Sequence, residues 1–293
     1  MGEFTANIAA YFESDKPKMA VTHKQKPLDY VPYGLVVTKS WLLAQGLSRH
    51  TLDNWVKSGQ LASIVYGVYQ RPDTQLTWQG VVSSLQRMGS DLRPGGLTAL
   101  TYQGLGHYLE LGNQKTIHLY GLDSLPVWLN KLLPHVTFVR HNEAQLLGRN
   151  HQNGLDALKD FETKMPTDMA LSFGDVMASS PERAWFEVLL DVPEKISFEH
   201  ADQLMQGLVN LSPKRLNKLL ALCQNVKVRR LFLWFAERHR HAWFEKIDTE
   251  SYTWKSGLLG SGKRGLAKGG KLDPKYLITV PEAMQEEKKY GQE

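Results

Sequence analysis

The chain is 293 residues long, more than one small domain needs, and its 42% apolar share is that of a packed globular protein rather than a disordered one. It holds no apolar run near the ~20 residues of a membrane helix and no charged-then-apolar leader. Its single cysteine, Cys223, excludes an intrachain disulfide framework and a paired-cysteine metal site. These exclusions lead to the expectation of a soluble, cytoplasmic protein that does not meet the membrane. The net charge of +5 is unevenly spread: residues 155–205 hold 4 Lys/Arg against 11 Asp/Glu, and residues 225–275 hold 12 against 5. Either the basic stretch meets an acidic partner or the two stretches face each other.

In chain order, residues 1–30 are polar with weak periodicity. Met19 opens a more typical start, which leaves residues 1–18 as a tag, an upstream start or a tail. In VVTKSWLLAQG (36–46), Thr38 is the expected N-cap of a helix with Trp41, Leu42 and Leu43 on its apolar face, and Gly46 stops it. Ser48 caps a second helix, SRHTLDNWVKSG, with Leu52, Trp55 and Val56 at helical spacing and Gly59 at its end. LASIVYGVYQRP reads as a short hairpin turning at Tyr66-Gly67. Thr77 caps a third helix that places Trp78, Val81, Val82 and Leu85 inward.

The Gly/Pro-rich GSDLRPGG (89–96) is the expected domain boundary. A helix near 97–105 follows, then strands TIHLYG (116–121) and VTFVRH (136–141). From Pro181 to Lys246 the chain is mostly helical, opened by Ser180-Pro181 as a helix start. A Gly/Lys loop, GSGKRGLAKGGKL, and a short strand, KYLITVP, close it. The fold class is therefore α+β: an N-terminal winged helix-turn-helix domain followed by a larger, mainly helical α/β domain. The divisions fall at 1–27 (tail), 28–92, 93–284 and 285–293 (tail).

Helix, short turn, helix and hairpin is the plan of a winged helix-turn-helix, whose second helix enters the major groove N-terminus first. Here that helix begins Ser48, Arg49, His50, Thr51, with Asn54 and Lys57 one and two turns on. Arg49 suits guanine and Asn54 suits adenine as bidentate partners, whereas Ser48, Thr51 and Lys57 suit phosphates. Tyr66 and Arg71 of the hairpin are placed to touch the DNA backbone or the minor groove. Residues 35–75 carry only 4 Lys/Arg against 2 Asp/Glu, so DNA contacts would have to add up across a dimer or a cooperative array. The same plan also serves as a protein-interaction module, and that alternative stays open.

Other motifs fail on chemistry. GLLGSGKR (257–264) nearly spells a phosphate-binding loop, but Arg264 stands where a hydroxyl should meet magnesium and no apolar strand precedes it. Its cations, Lys263, Arg264, Lys268 and Lys271, are read either as a surface for an acidic partner or as a solvated loop. His239 and His241 are spaced i, i+2, on different helix faces, with no third ligand in view. Glu182, Arg183 and Glu187 read as an internal salt-bridge and capping cluster, and Cys223 as core. No catalytic residue, metal site or cofactor is assigned, and no enzyme is expected.

Taken together, the wing GVYQRP (67–72), the segment GGLTALTYQGLGHYLELG (95–112) followed by IHLYG, SSPERAWFEVL (179–189), and LGSGKRGLAKGGKLDPKYLITVP resemble the AbiEi-type antitoxins of bacterial type IV, abortive-infection toxin–antitoxin systems. The motifs span nearly all of residues 30–281 in the family's order; the first 18 to 25 residues fall outside them. The resemblance implies a repressor that binds inverted repeats in its own promoter. It also implies neutralisation, direct or indirect, of a cognate nucleotidyltransferase-like toxin. Carried over by position, Arg49, His50, Thr51, Asn54 and Lys57 become operator contacts, and Lys263, Arg264, Lys268 and Lys271 a candidate antitoxicity surface. Two other readings remain: a ligand-responsive winged-helix repressor, and a nucleotide-binding enzyme that modifies a partner protein.

Overall fold

The computed structural model of the chain describes residues 26–106, 114–147, 152–165, 175–253 and 255–285. Most of both expected tails, and residues 107–112 of the GGLTALTYQGLGHYLELG segment, lie outside these.

The N-terminal unit begins with a one-turn helix α1 (Pro27–Tyr30) and strand β1 (Val36–Thr38). Thr38 accepts the Trp41 backbone N–H at 3.2 Å and so starts helix α2 (Lys39–Ala44). Ser48 accepts that of Thr51 at 3.0 Å and starts helix α3 (Arg49–Lys57). Gly46 and Gly59, at φ +88° and +70°, stop the two helices in the left-handed region that glycine adopts without a Cβ clash. Strands β2 (Ala62–Val65) and β3 (Val68–Gln70) form the hairpin, and the sheet order is β1-β3-β2, antiparallel throughout. The sequence reading placed the helix start at Thr38, where the structure has it, but named no strand before it and so missed β1. Val36 and Val37 are buried β-branched residues whose partners, Gln70 and Tyr69, lie more than thirty residues away. Leu42, Leu52, Trp55 and Leu61 form this unit's small core.

Helix α4 (Trp78–Arg87), capped by Thr77, joins this unit to the rest of the molecule. On one side Ser84 Oγ accepts the Val36 backbone N–H at 2.9 Å. On another, the Gln86 amide holds both backbone groups of Met177, at 2.8 and 3.0 Å. Its apolar face, Val81, Val82 and Leu85, packs against Ile117, Leu119 and Phe138 of a second sheet. That sheet has β4 (Arg93–Pro94) antiparallel to β5 (Lys115–Tyr120), and β5 parallel to β6 (Val136–His141). Helix α5 (Gly96–Tyr102) follows β4. Next come the short helices α6 (Ala144–Leu147) and α7 (Gln152–Lys159) and the antiparallel pair β7 (Glu162–Lys164) and β8 (Met177–Ser179).

The largest core belongs to the helices α8 (Pro181–Asp191), α9 (Phe198–Gly207), α10 (Pro213–Leu222) and α11 (Val226–His239). Each starts on a side-chain cap, from Ser180, Ser197, Ser212 and Asn225, a pattern favoured because the first helical N–H groups lack intrahelical partners. Trp185, Phe186, Phe232, Trp234 and Phe235 fill the space between them. The expected helix through Lys246 stops at His239, where Arg240 turns left-handed at φ 45°. Strands β9 (Lys271–Asp273) and β10 (Ile278–Val280) pair at the end. Among the described residues, no helix is long and apolar enough to cross a membrane.

Candidate nucleic-acid interface

Helix α3 presents two faces. Leu52 and Trp55 are buried, and they hold it against the N-terminal core. Arg49, His50, Asn54 and Lys57 are exposed along its outer side. Because His50 and Asn54 are one turn apart, Asn54 Nδ2 and His50 Nδ1 lie 3.2 Å from each other. Ser48 and Thr51 are used first as a cap: their hydroxyls are 2.8 Å apart in addition to the backbone bond.

The hairpin turns at Tyr66, fully exposed, and at Gly67, at φ +72°. The Gly67 carbonyl accepts the Lys39 N–H at 2.8 Å, which ties the hairpin's turn to the start of α2. Arg71 is only half-exposed. It lies 5.0 Å over the ring of Tyr33 and donates to the Tyr33 hydroxyl at 3.2 Å, a partner that sequence spacing could not name. The structure thus brings Ser48, Arg49, His50, Thr51, Asn54 and Lys57 onto one helix, and Tyr66 and Arg71 onto the adjoining hairpin.

Lys263, Arg264 and Lys268 lie in the loop before β9 and Lys271 at the start of β9, all exposed. Lys271 pairs with Glu282 at 2.5 Å, and the Arg264 backbone is bonded to Leu277 and Thr279. Beneath the loop, Arg230 of α11 donates to the carbonyls of Leu259, Gly262, Leu277 and Ser261, and Arg229 to that of Leu258. The loop therefore turns carbonyls inward to two guanidinium groups, whereas a phosphate cradle converges N–H groups on its ligand. Two consecutive arginines directly before the apolar run Leu231–Ala236, followed by a Gly-rich loop, are the sequence signal of this clamp.

The SSPERAWFEVL segment builds a buried ionic network. Arg183 and Glu187 are wholly buried and paired at 2.8 Å. Arg183 also pairs with Glu143, which pairs with Arg93 at 2.8 Å; Arg93 reaches Glu162 at 3.2 Å. Glu187 further accepts the Gly96 N–H and the Ser179 hydroxyl, both at 2.9 Å. Burial pushes the Arg183 guanidinium down, but Glu187 and Glu143 outweigh it and leave it above its ordinary value. Glu182 separates from the cluster, accepting from Ser180 Oγ and from the Ser212 N–H at 2.9 Å each. Arg93, Glu143 and Glu162 were not legible as members, since they join from three other elements.

The remaining motif residues have structural partners. Burial pushes the Cys223 thiol up to about 12. His239 pairs with Asp202 at 2.6 Å and His241 with the Met205 carbonyl at 2.7 Å. Their rings nevertheless stack, with centroids 5.8 Å apart, where i, i+2 spacing on a helix would have separated them. The helix ends at His239, and the left-handed Arg240 folds His241 back.

Residues 21–111 match the family described as the AbiEi antitoxin N-terminal domain of a transcriptional regulator. Residues 114–281 match the one described as a transcriptional regulator, AbiEi antitoxin, of a type IV toxin–antitoxin system. A solved protein from Mycobacterium tuberculosis is similar at 18% identity over 88% of this chain and 90% of its own, with a TM-score of 0.44. No curated protein matches the chain. Two matches in succession, covering most of its length, show that the chain belongs to the AbiEi antitoxins, transcriptional regulators of type IV toxin–antitoxin systems.

Proposed function

We propose that the N-terminal unit is a winged helix-turn-helix that represses its own operon by binding inverted repeats in the promoter. The observation that carries this reading is the outer side of α3, where Arg49, His50, Asn54 and Lys57 are exposed beside a wing whose tip, Tyr66, is fully exposed. In this reading Arg49 and Asn54 read base edges, Ser48, Thr51 and Lys57 hold phosphates, and Tyr66 and Arg71 follow the backbone. The unit extends over residues 28–92, and residues 93–284 form the antitoxin domain. That domain neutralises a cognate nucleotidyltransferase-like toxin, directly or indirectly, with the exposed Lys263, Arg264 and Lys268, and Lys271 at their edge, as the surface for an acidic partner. With so few cations near α3, operator affinity comes from two or more copies bound side by side.

The test is a gel shift with the chain's own promoter against scrambled DNA at two salt concentrations. Selective binding in discrete steps is the expected result. Equal binding to both DNAs, or none, would overturn the operator reading and leave the N-terminal unit as a protein-interaction module.

A further inference from the structure

The outer side of α3 is not a plain cationic surface. At ~100° of turn per residue, His50 and Lys57 stand opposite the mean direction of the buried Leu52 and Trp55, with Asp53 and Asn54 on either side of them, all four exposed. Across that line Asn54 Nδ2 lies 3.2 Å from His50 Nδ1, one helical turn away. An amide nitrogen only donates, so His50 Nδ1 is the acceptor and the neutral ring carries its proton on Nε2. A face built to hold phosphates would offer donors throughout. Here an exposed carboxylate, Asp53, and a hydrogen-bonded neutral pair occupy its middle, an arrangement suited to base edges.

A carboxamide meets adenine along one edge: its oxygen accepts from N6, and one N–H donates to N7. Only the N–H on the oxygen's side shares that edge; the other points back along the side chain. Helical side chains lean towards the helix N-terminus, so Asn54 reaches back over His50. Alone on the surface, the amide would rotate about its broad last torsion and present the reading edge only part of the time. A bond from the backward N–H to His50 stops that rotation and leaves the oxygen and the second N–H for a base.

We propose that His50 is a positioning residue: it holds the Asn54 amide in the rotation that reads adenine, so that each operator half-site carries an A·T pair opposite Asn54. The proposal rests on the N-terminal unit binding its operator.

The experiment measures binding of the full chain to its own promoter and to scrambled DNA by fluorescence anisotropy. Each adenine in the protected region is replaced singly by 7-deazaadenine, which keeps base pairing and N6 but lacks N7. The expected result is an adenine in each half-site whose replacement weakens the parent about tenfold and has no further effect on Asn54→Ala. His50→Ala should weaken operator binding about fivefold, and that loss should shrink to about twofold or less in the Asn54→Ala background. His50→Gln, whose side-chain oxygen accepts at the same one-turn spacing, should recover part of it. An equal His50→Ala loss in both backgrounds would make His50 an independent contact, and a promoter with no adenine sensitive to the replacement would mean that Asn54 reads none. Either result overturns the proposal while the operator reading stands. A parent that binds promoter and scrambled DNA alike overturns both.

Discussion

Arg183 and Glu187 face each other across one turn of α8, Nε to Oε1 at 2.8 Å, with both side chains at 0% exposure. A charge pair without water holds only while every member is matched, because a lone buried charge has nothing to replace its hydration. Arg183→Met would strand Glu187, leave Glu143 with Arg93 alone, and is expected to cost about 3–5 kcal/mol in equilibrium denaturation. A loss below about 1 kcal/mol would mean that the pair is wetter than its burial indicates.

The close approach of Gly95 to the same network gives a second expectation. A Cβ there would lie 2.4 Å from both Glu187 Oε2 and Tyr120 Cδ2, and 3.0 Å from Ser179 Oγ. All three neighbours are buried and two are bonded to each other, so they cannot swing away. Gly95→Ala should therefore cost about 1–3 kcal/mol by overpacking. Gly59→Ala meets nothing within 4 Å but sits at φ +70°, and should lose only about 1–2 kcal/mol of stability, to backbone strain. Urea unfolding of both variants measures the two mechanisms separately.

The N-terminal unit was largely legible because its signals are local. Caps at Thr38, Ser48 and Thr77, glycine stops at 46 and 59, and helical spacing of Leu52 and Trp55 each act within a few residues. What escaped depends on distance along the chain. β1 pairs with a strand over thirty residues away, Arg71 meets Tyr33 across 38 positions, and Arg93 meets Glu143 across 50. The polar face of β5 was readable in principle, since Thr116, His118 and Tyr120 alternate with apolar residues. Only the fold shows that α8 covers that face.

Arg49 and Lys57 share α3 but serve different roles in the proposed complex, and mutation separates them. Arg49→Ala should remove discrimination between operator and scrambled DNA, costing about 1–3 kcal/mol on the specific site alone. Lys57→Ala should weaken binding to all sequences alike and reduce the salt slope by about 1. Both residues are exposed, so neither change should alter thermal stability by more than about 0.5 kcal/mol. Unchanged operator affinity in Arg49→Ala would count against α3 as the reading helix.

His141 should make stability fall on acidification. Burial lowers its pKa from 6.5 to about 4; Asp191 opposes the shift, and His118 and Lys195 add to it. The stacked Tyr120 ring, 4.6 Å away, closes its remaining side. The unfolded chain therefore takes up this proton first as pH falls. Between about pH 6.5 and pH 4 the unfolded state binds more protons than the folded one, so stability is lost across that window; above 6.5 this group contributes no slope. The check is an NMR titration of the His141 ring together with denaturation at pH 7, 6, 5 and 4.5. A ring midpoint near 4, and a downward stability slope that shrinks in His141→Asn, are the expected results. A midpoint near 6.5 would mean that water reaches the ring and that burial does not hold the His141 proton off.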